Sequence, residues 1–381
     1  MRHIFSVLIL SLLLCGCAAS SPEPVPAETG HSPVLEAEIP TTIATEPPDP
    51  LKLLLDAMTV EEKVGQLFLA RCPDVNAVEA ICDYHLGGYL LFGQDFDGET
   101  PDSFRKKIAE YQAAAPIPLL IAVDEEGGTV CRVSSHSMFR ASRFPSPRES
   151  YDIGGMEQVL AVAGEKAALL TDLGINVNMG PVCDITTDPA AFMYRRSLGQ
   201  SPEETGRFIS SAVQIYENHS LGSVLKHFPG YGNNSDTHTG IATDTRPLSE
   251  LESVDLIPFA SGIDAGCDAI LVSHNIITCL DDTAPASLSP AVHDYLRNTM
   301  DFEGVIVTDD LVMQAITDAY GAEEAAVLAV LAGNDLLCST EYQTQYTAVL
   351  DAVRSGRISM NQLDDSVMRI LEWKRELGLI F

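Results

Sequence analysis

Positive charge is scarce in this 381-residue chain: 23 Lys and Arg stand against 54 Asp and Glu, a formal net charge of −31. A folded surface of that sign repels phosphate backbones and anionic headgroups. Nucleic acid and an anionic bilayer are therefore excluded as partners of the folded part. Neutral sugars and basic partners stay compatible with it. No Cys-x-x-Cys occurs. Apart from Cys15 and Cys17 the cysteines are Cys72, Cys82, Cys131, Cys183, Cys267, Cys279 and Cys338. An odd set without that spacing argues against a disulfide framework and a zinc site. Most sit in or beside apolar runs and read as small buried residues. Cys72 and Cys82 are near enough in sequence to close a short loop. A glycine-rich dinucleotide fingerprint is absent too, and the chain shows no other cofactor signature.

The hydrophobic content, 46%, is that of a globular protein. The first 50 residues differ from the rest. Arg2 and His3 precede an apolar stretch over residues 4–14 that is too short to span a bilayer and reads as a signal peptide, residues 1–16. Leu14-Cys15-Gly16-Cys17 looks like a bacterial lipobox, which predicts cleavage before Cys17 and lipid on Cys17. Residues 18–50 hold eight Pro, six Asp or Glu, and no Lys or Arg. Such a segment cannot bury a core, so residues 17–50 are expected to be a lipidated, extended tether. The protein would then act outside the cytoplasm, held to the membrane only through that lipid. Residues 51–381 suit one large domain better than several small ones.

In that domain Thr59-Val-Glu-Glu62 has the form of a capping box, so a helix should start near residue 60. Eight short apolar runs then alternate with helical patterns: Gln66–Ala70, Gly88–Phe92, Leu119–Val123, Ile175–Met179, Ser223–Leu225, Ala269–Ser273, Val305–Thr308 and Asp335–Cys338. Helices are expected over 101–114, 156–173, 202–219, 321–332 and 341–354, with a last one about 360–377. Fully apolar strands alternating with helices eight times predict an α/β fold, a single (β/α)8 barrel of the TIM type. An open doubly wound sheet is the alternative. Chemistry in such barrels gathers at the C-terminal strand ends. Polar residues fall there: Asp124, Asp184, Lys226 with His227, His274, and Asp309.

The segment from Lys226 to His238 reads Lys-His-Phe-Pro-Gly-Tyr-Gly-Asn-Asn-Ser-Asp-Thr-His. Its Pro and Gly residues allow a sharp loop that delivers Asp236 beside His238, and a carboxylate next to an imidazole is an acid/base unit. The stretch resembles the Lys-His-Phe-Pro-Gly-His-Gly…Asp-Ser-His signature of β-N-acetylglucosaminidases in glycoside hydrolase family 3. Tyr231 stands where many members have His, and the spacer to Asp236 is one residue shorter. Gly304-Val-Ile-Val-Thr-Asp-Asp-Leu-Val-Met313 is similar to the family's nucleophile strand. Asp124-Glu-Glu-Gly-Gly-Thr-Val-Cys-Arg132 is similar to its Asp-Gln-Glu-Gly-Gly-Arg-Val-x-Arg, with Glu125 and Thr129 as departures. Tyr194-Arg-Arg196-Ser-Leu-Gly resembles its Asp-Arg-Ser-Phe-Gly.

The resemblance covers roughly residues 55–375 and implies a retaining exo-β-N-acetylglucosaminidase (a β-N-acetylhexosaminidase) with no metal or cofactor. Asp309 would be the nucleophile, with Asp310 a helix cap or supporting neighbour. His238, oriented by Asp236, would be the acid/base, since nothing long enough to supply that group follows the last helix. Asp124, Arg132, Arg196, Lys226 and His227 would bind the sugar, and His274 would lie behind them. The substrate would be a GlcNAc-containing oligosaccharide or muropeptide from peptidoglycan, and the protein a monomer. A GlcNAc-glycoside phosphorylase or a β-glucosidase of the same family, and a non-catalytic sugar-binding lipoprotein, are the alternatives. A metal-dependent barrel hydrolase is disfavoured because the first strand, Gln66-Leu-Phe-Leu, lacks His-x-His.

Overall fold

Local chemistry sets the helix starts. The computed structural model describes residues 49–232 and 242–381. Thr59 and Glu62 form the expected capping box: the Thr59 amide donates to Glu62 Oε2 at 2.7 Å, and the Glu62 amide donates to Thr59 Oγ1 at 3.2 Å. A second box, Ser146 with Glu149, opens a helix at Pro147. That helix runs Pro147–Asp172 with a break at Gly154 and Gly155, where Gly155 takes φ 63°. The expected helix over 156–173 is thus its second limb. The other expected helices are Pro101–Ala114, Pro202–Glu217, Ala322–Ala332, Tyr342–Arg354 and Met360–Glu376.

Eight short strands form the central sheet. They are β1 Phe68–Arg71, β2 Gly88–Leu91, β3 Leu120–Val123, β4 Val177–Asn178, β5 Gly222–Phe228, β6 Ala269–Val272, β7 Val305–Thr308 and β8 Leu337–Ser339. Their order is β7-β6-β5-β4-β3-β2-β1-β8, and every pairing is parallel. Between β7 and β8 a bridge from Val307 to Leu336 joins the ring, with the Thr308 amide donating to Leu336 O at 3.1 Å. The expected (β/α)8 barrel is what the chain forms. Its strands are buried on both faces, which is why they read as unbroken apolar runs.

Two expectations need correcting. β5 does not stop at Leu225: Lys226 and His227 lie within it, fully buried, and the register with β6 shifts between Leu225 and Phe228. Residues 49 and 50, expected in the extended segment, start a helix instead. Asp49 caps a helix, Pro50–Ala57, by accepting from the Leu51 amide at 3.0 Å, and Pro50 sits in its first turn.

That first helix lies over the strand starts. Leu54, Ala57 and Met58 face Gln66, Leu86 and Ile117 across a cavity of about 240 Å³. Beside it Lys374 is fully buried. Its Nζ donates to Gln66 Oε1 at 2.7 Å, and burial pushes its pKa down to about 7. The seven domain cysteines are all free. Cys72 and Cys82 do not pair: the Cys72 thiol lies 3.8 Å from Tyr111 Oη, while Cys82 Sγ faces Ala114 O at 3.8 Å. Burial pushes the Cys72 thiol up to about 12. Among the described residues no helix is long and apolar enough to cross a membrane.

Candidate active site

Asp124 follows β3, Lys226 and His227 close β5, and Asp309 follows β7, so each strand delivers its polar residue at the same end of the barrel. With Arg132 and Arg196 these residues line one cavity of about 390 Å³. That is the size of a small-ligand pocket.

Charge is dense there, and it is matched. The ammonium of Lys226 lies between two carboxylates, donating to Asp124 Oδ1 and reaching Glu126 Oε1 at 2.7 Å. Arg196 grips Glu126 with both arms, Nε to Oε2 at 2.8 Å and Nη2 to Oε1 at 2.6 Å. Burial opposes the charge on Glu126, but Arg196 and Lys226 outweigh it and hold the carboxyl well below its usual range. Burial likewise opposes the Lys226 charge, yet Asp124 and Glu126 keep its pKa above the ordinary value. Charges that satisfy one another in this way are fixed donors and acceptors that need little reorganisation around a ligand.

The tautomer of His227 follows from its neighbours. Arg196 Nη2 lies 3.2 Å from its Nε2, and a guanidinium can only donate, so Nε2 accepts. The proton therefore sits on Nδ1 and points to Asp184 Oδ2 at 2.7 Å. Asp184 is itself held by the amides of His227, at 3.1 Å, and Tyr231, at 2.8 Å. Tyr231 is buried, and its ring stands edge-on to His227 with centroids 5.2 Å apart.

Asp309 Oδ1 accepts the Asp310 amide at 2.9 Å, and its own amide donates to Val272 O at 3.2 Å. Asp310 faces away from the cavity. Its carboxylate accepts from Thr340 Oγ1 at 2.6 Å and from the amides of Val312 and Thr340, each at 3.2 Å. Burial raises its pKa. His274 is wholly buried, with Nδ1 at 2.7 Å from Ser287 Oγ and Nε2 at 3.0 Å from Asp310 O. It props the turn that carries Asp309 and lies behind the cavity lining, as expected.

Arg132 lines the cavity with a buried Nε that finds no acceptor among the described residues. Its guanidinium lies over the Phe92 ring, 5.5 Å from the centroid. Glu125 is fully buried and does not touch the cavity. It ties the following loop by accepting from the Val133 amide at 2.7 Å and from Ser134. Asp236 and His238 lie outside the described residues. After that segment Arg246 pairs with Asp244 and with Asp255, each at 2.7 Å. Burial pushes Asp255 up to about 6 against the pull of Arg246. Gly230 and Gly232 take φ 118° and 54°, and a Cβ on them would strike Asp255 and Arg246.

Sequence reasoning missed Glu126 as the anchor of the charge cluster. Its signal was the second Glu of Asp124-Glu-Glu-Gly-Gly. Among the described residues no group of three or more His, Cys, Asp or Glu could hold a metal ion.

The profile of the glycosyl hydrolase family 3 N-terminal domain matches residues 59–373. The chain belongs to glycoside hydrolase family 3. The β-hexosaminidase LpqI of Mycobacterium tuberculosis is 31% identical over 98% of this chain and 97% of its own length. The solved structure of that protein superposes with a TM-score of 0.77 over 86% of this chain and 96% of that one. A family 3 β-N-acetylglucosaminidase from a Paenibacillus species is 34% identical, with a TM-score of 0.79, and covers 85% of this chain and 63% of its own. As a family 3 member the chain is a glycoside hydrolase, an enzyme of O-glycosyl bonds.

Proposed function

We propose that this family 3 enzyme is a retaining exo-β-N-acetylglucosaminidase. It removes terminal β-GlcNAc from peptidoglycan fragments or related glycans outside the cytoplasmic membrane. The observation that carries this reading is the meeting of Asp309 with Asp124, Arg132 and Lys226 in one cavity at the strand ends. The names of the two relatives, a β-hexosaminidase and a β-N-acetylglucosaminidase, support the sugar.

In the first half-reaction Asp309 attacks the anomeric carbon. The glycosidic bond breaks as the leaving oxygen takes a proton from His238, and a glycosyl ester forms on Asp309. In the second half-reaction water attacks that ester and gives its proton to His238, freeing Asp309 with net retention. Asp236 orients the imidazole. Asp124 accepts from ring hydroxyls. Lys226, Arg132, Arg196 and His227 fix the remaining hydroxyl side. Cys17 carries the lipid, the residues from there to the helix cap at Asp49 are the tether, and the enzyme acts as a monomer.

The test compares 4-nitrophenyl β-GlcNAc with 4-nitrophenyl β-glucoside in EDTA, for the wild type, Asp309→Ala and His238→Ala. Preference for β-GlcNAc, with turnover abolished by Asp309→Ala, is expected. His238→Ala should slow a poor leaving group far more than 4-nitrophenolate, because only the poor one needs the proton. Equal loss across leaving groups would sink the acid/base assignment. Loss of all activity in EDTA would sink the metal-free mechanism.

A further inference from the structure

Two arginines in the described chain stand apart from all the others. The rest each give at least one hydrogen bond or ion pair, even on the open surface. Arg132 and Arg195 give none among the described residues, apart from the ring contact of Arg132 with Phe92. Acid is not in short supply: 54 acidic side chains face 23 basic ones. Yet both unpaired guanidinium groups line the same cavity, the one that holds Asp309.

Their depths differ. Arg132 is half-buried and belongs with the sugar-binding residues. Arg195 is exposed, at the mouth, while its neighbour Arg196 turns inward to Glu126. The carboxylates inside do not pair with Arg195: Asp124 and Glu126 are held by Lys226 and Arg196, and no ion pair among the described residues joins Arg195 to Asp309. Thr129, also exposed in the lining, brings no charge. The mouth therefore offers a planar, permanently charged fork of donors with no partner from the described protein. Its natural complement is a carboxylate.

In an exo-acting glycosidase the buried end of the pocket takes the terminal sugar, and the mouth takes whatever the sugar is attached to. On the glycosidase reading given above, we propose that Arg195 binds a carboxylate on the aglycone and makes the enzyme favour acidic over neutral leaving groups. The role is recognition, and no bond is made or broken by it.

The test uses two substrates of nearly equal shape, 3-carboxyphenyl and 3-carbamoylphenyl N-acetyl-β-glucosaminide, at pH 7. Only the first is an anion. Wild type, Arg195→Gln and Arg195→Lys are compared at low and high salt. Arg195→Gln should lower kcat/KM about five-fold more on the carboxylate than on the amide, with the difference in KM, as befits a solvent-exposed charge pair. Arg195→Lys should restore part of the gap, and 0.5 M NaCl should narrow it. Equal losses on both substrates, or a gap that salt does not touch, would overturn the role of Arg195 alone. Cleavage of neither substrate by the wild type would overturn the glycosidase reading and this proposal with it. Because Arg195 is exposed, its replacement leaves the fold intact, and unchanged thermal unfolding confirms that.

Discussion

Replacing Glu126 by Gln keeps the shape of the side chain and removes one charge from the most tightly coupled point of the site. The carboxylate accepts from Arg196 Nε at 2.8 Å, from Arg196 Nη2 at 2.6 Å and from Lys226 at 2.7 Å, with only 1% of the side chain exposed. An amide keeps one acceptor and turns the other into a donor aimed at donors. Breaking a buried pair on one side costs about 3–5 kcal/mol, most of it from the partner charge left uncompensated. For roughly 330 folded residues the unfolding entropy is about 0.7 kcal/mol per kelvin, so the melting temperature should fall by about 4–7 °C. Near-ultraviolet circular dichroism at pH 7 measures this. Adding Lys226→Met removes a charge of the other sign, and the double variant should lose about 1–2 kcal/mol less than the sum of the single losses. A fall below about 1 °C, or strict additivity, would refute the view that Glu126 anchors the cluster.

Lys374 gives a prediction in pH. In the unfolded chain its amine holds a proton up to its ordinary value of 10.5, whereas in the folded protein it gives the proton up near 7. Between those values the unfolded state binds more protons. Stability from this group is thus complete above pH 10.5 and is lost as pH falls to 7, by roughly 4–5 kcal/mol in all. Lys374→Met should abolish that component. Denaturant midpoints at pH 7 and 9.5 should differ less in the variant than in the wild type, and parallel curves would refute the assignment. Gly232→Ala should destabilise by about 1–2 kcal/mol, since Gly232 has φ 54° and the added methyl group meets Arg246. Because Arg246 also holds Asp244 and Asp255, turnover should fall with stability, whereas Gly98→Ala, at φ 73° with open space around it, should cost stability only.

The barrel was legible because strands buried on both faces leave a simple mark, a short apolar run. Seven of the eight runs predicted from sequence end within two residues of the observed strand. The fifth did not, because Lys226 and His227 look like a strand end. They are inside the strand because Asp124, Glu126 and Asp184 neutralise or orient them, and those partners come from the segments that follow β3 and β4. Asp49 and Pro50 were read as tether from composition alone, although Asp followed by Pro is also a helix start. The limb at Pro147 was missed because Gly154 and Gly155 interrupt its period. In the site, strand-end residues could be found from position. Glu126 could not, since its role depends on Arg196 seventy residues away.

The path of the backbone into the domain has a consequence for how its two ends respond to change. Asp49 lies 3.8 Å from Arg375, so the first described residue and the last long helix meet at the floor formed by the strand starts. The cavity that holds Asp309 opens at the other pole. The chain thus enters the domain at the end of the barrel opposite Asp309, and the rim of the cavity is free of that entry point. Changes to the entry helix and changes to the cavity rim should therefore act independently, one on stability and the other on turnover.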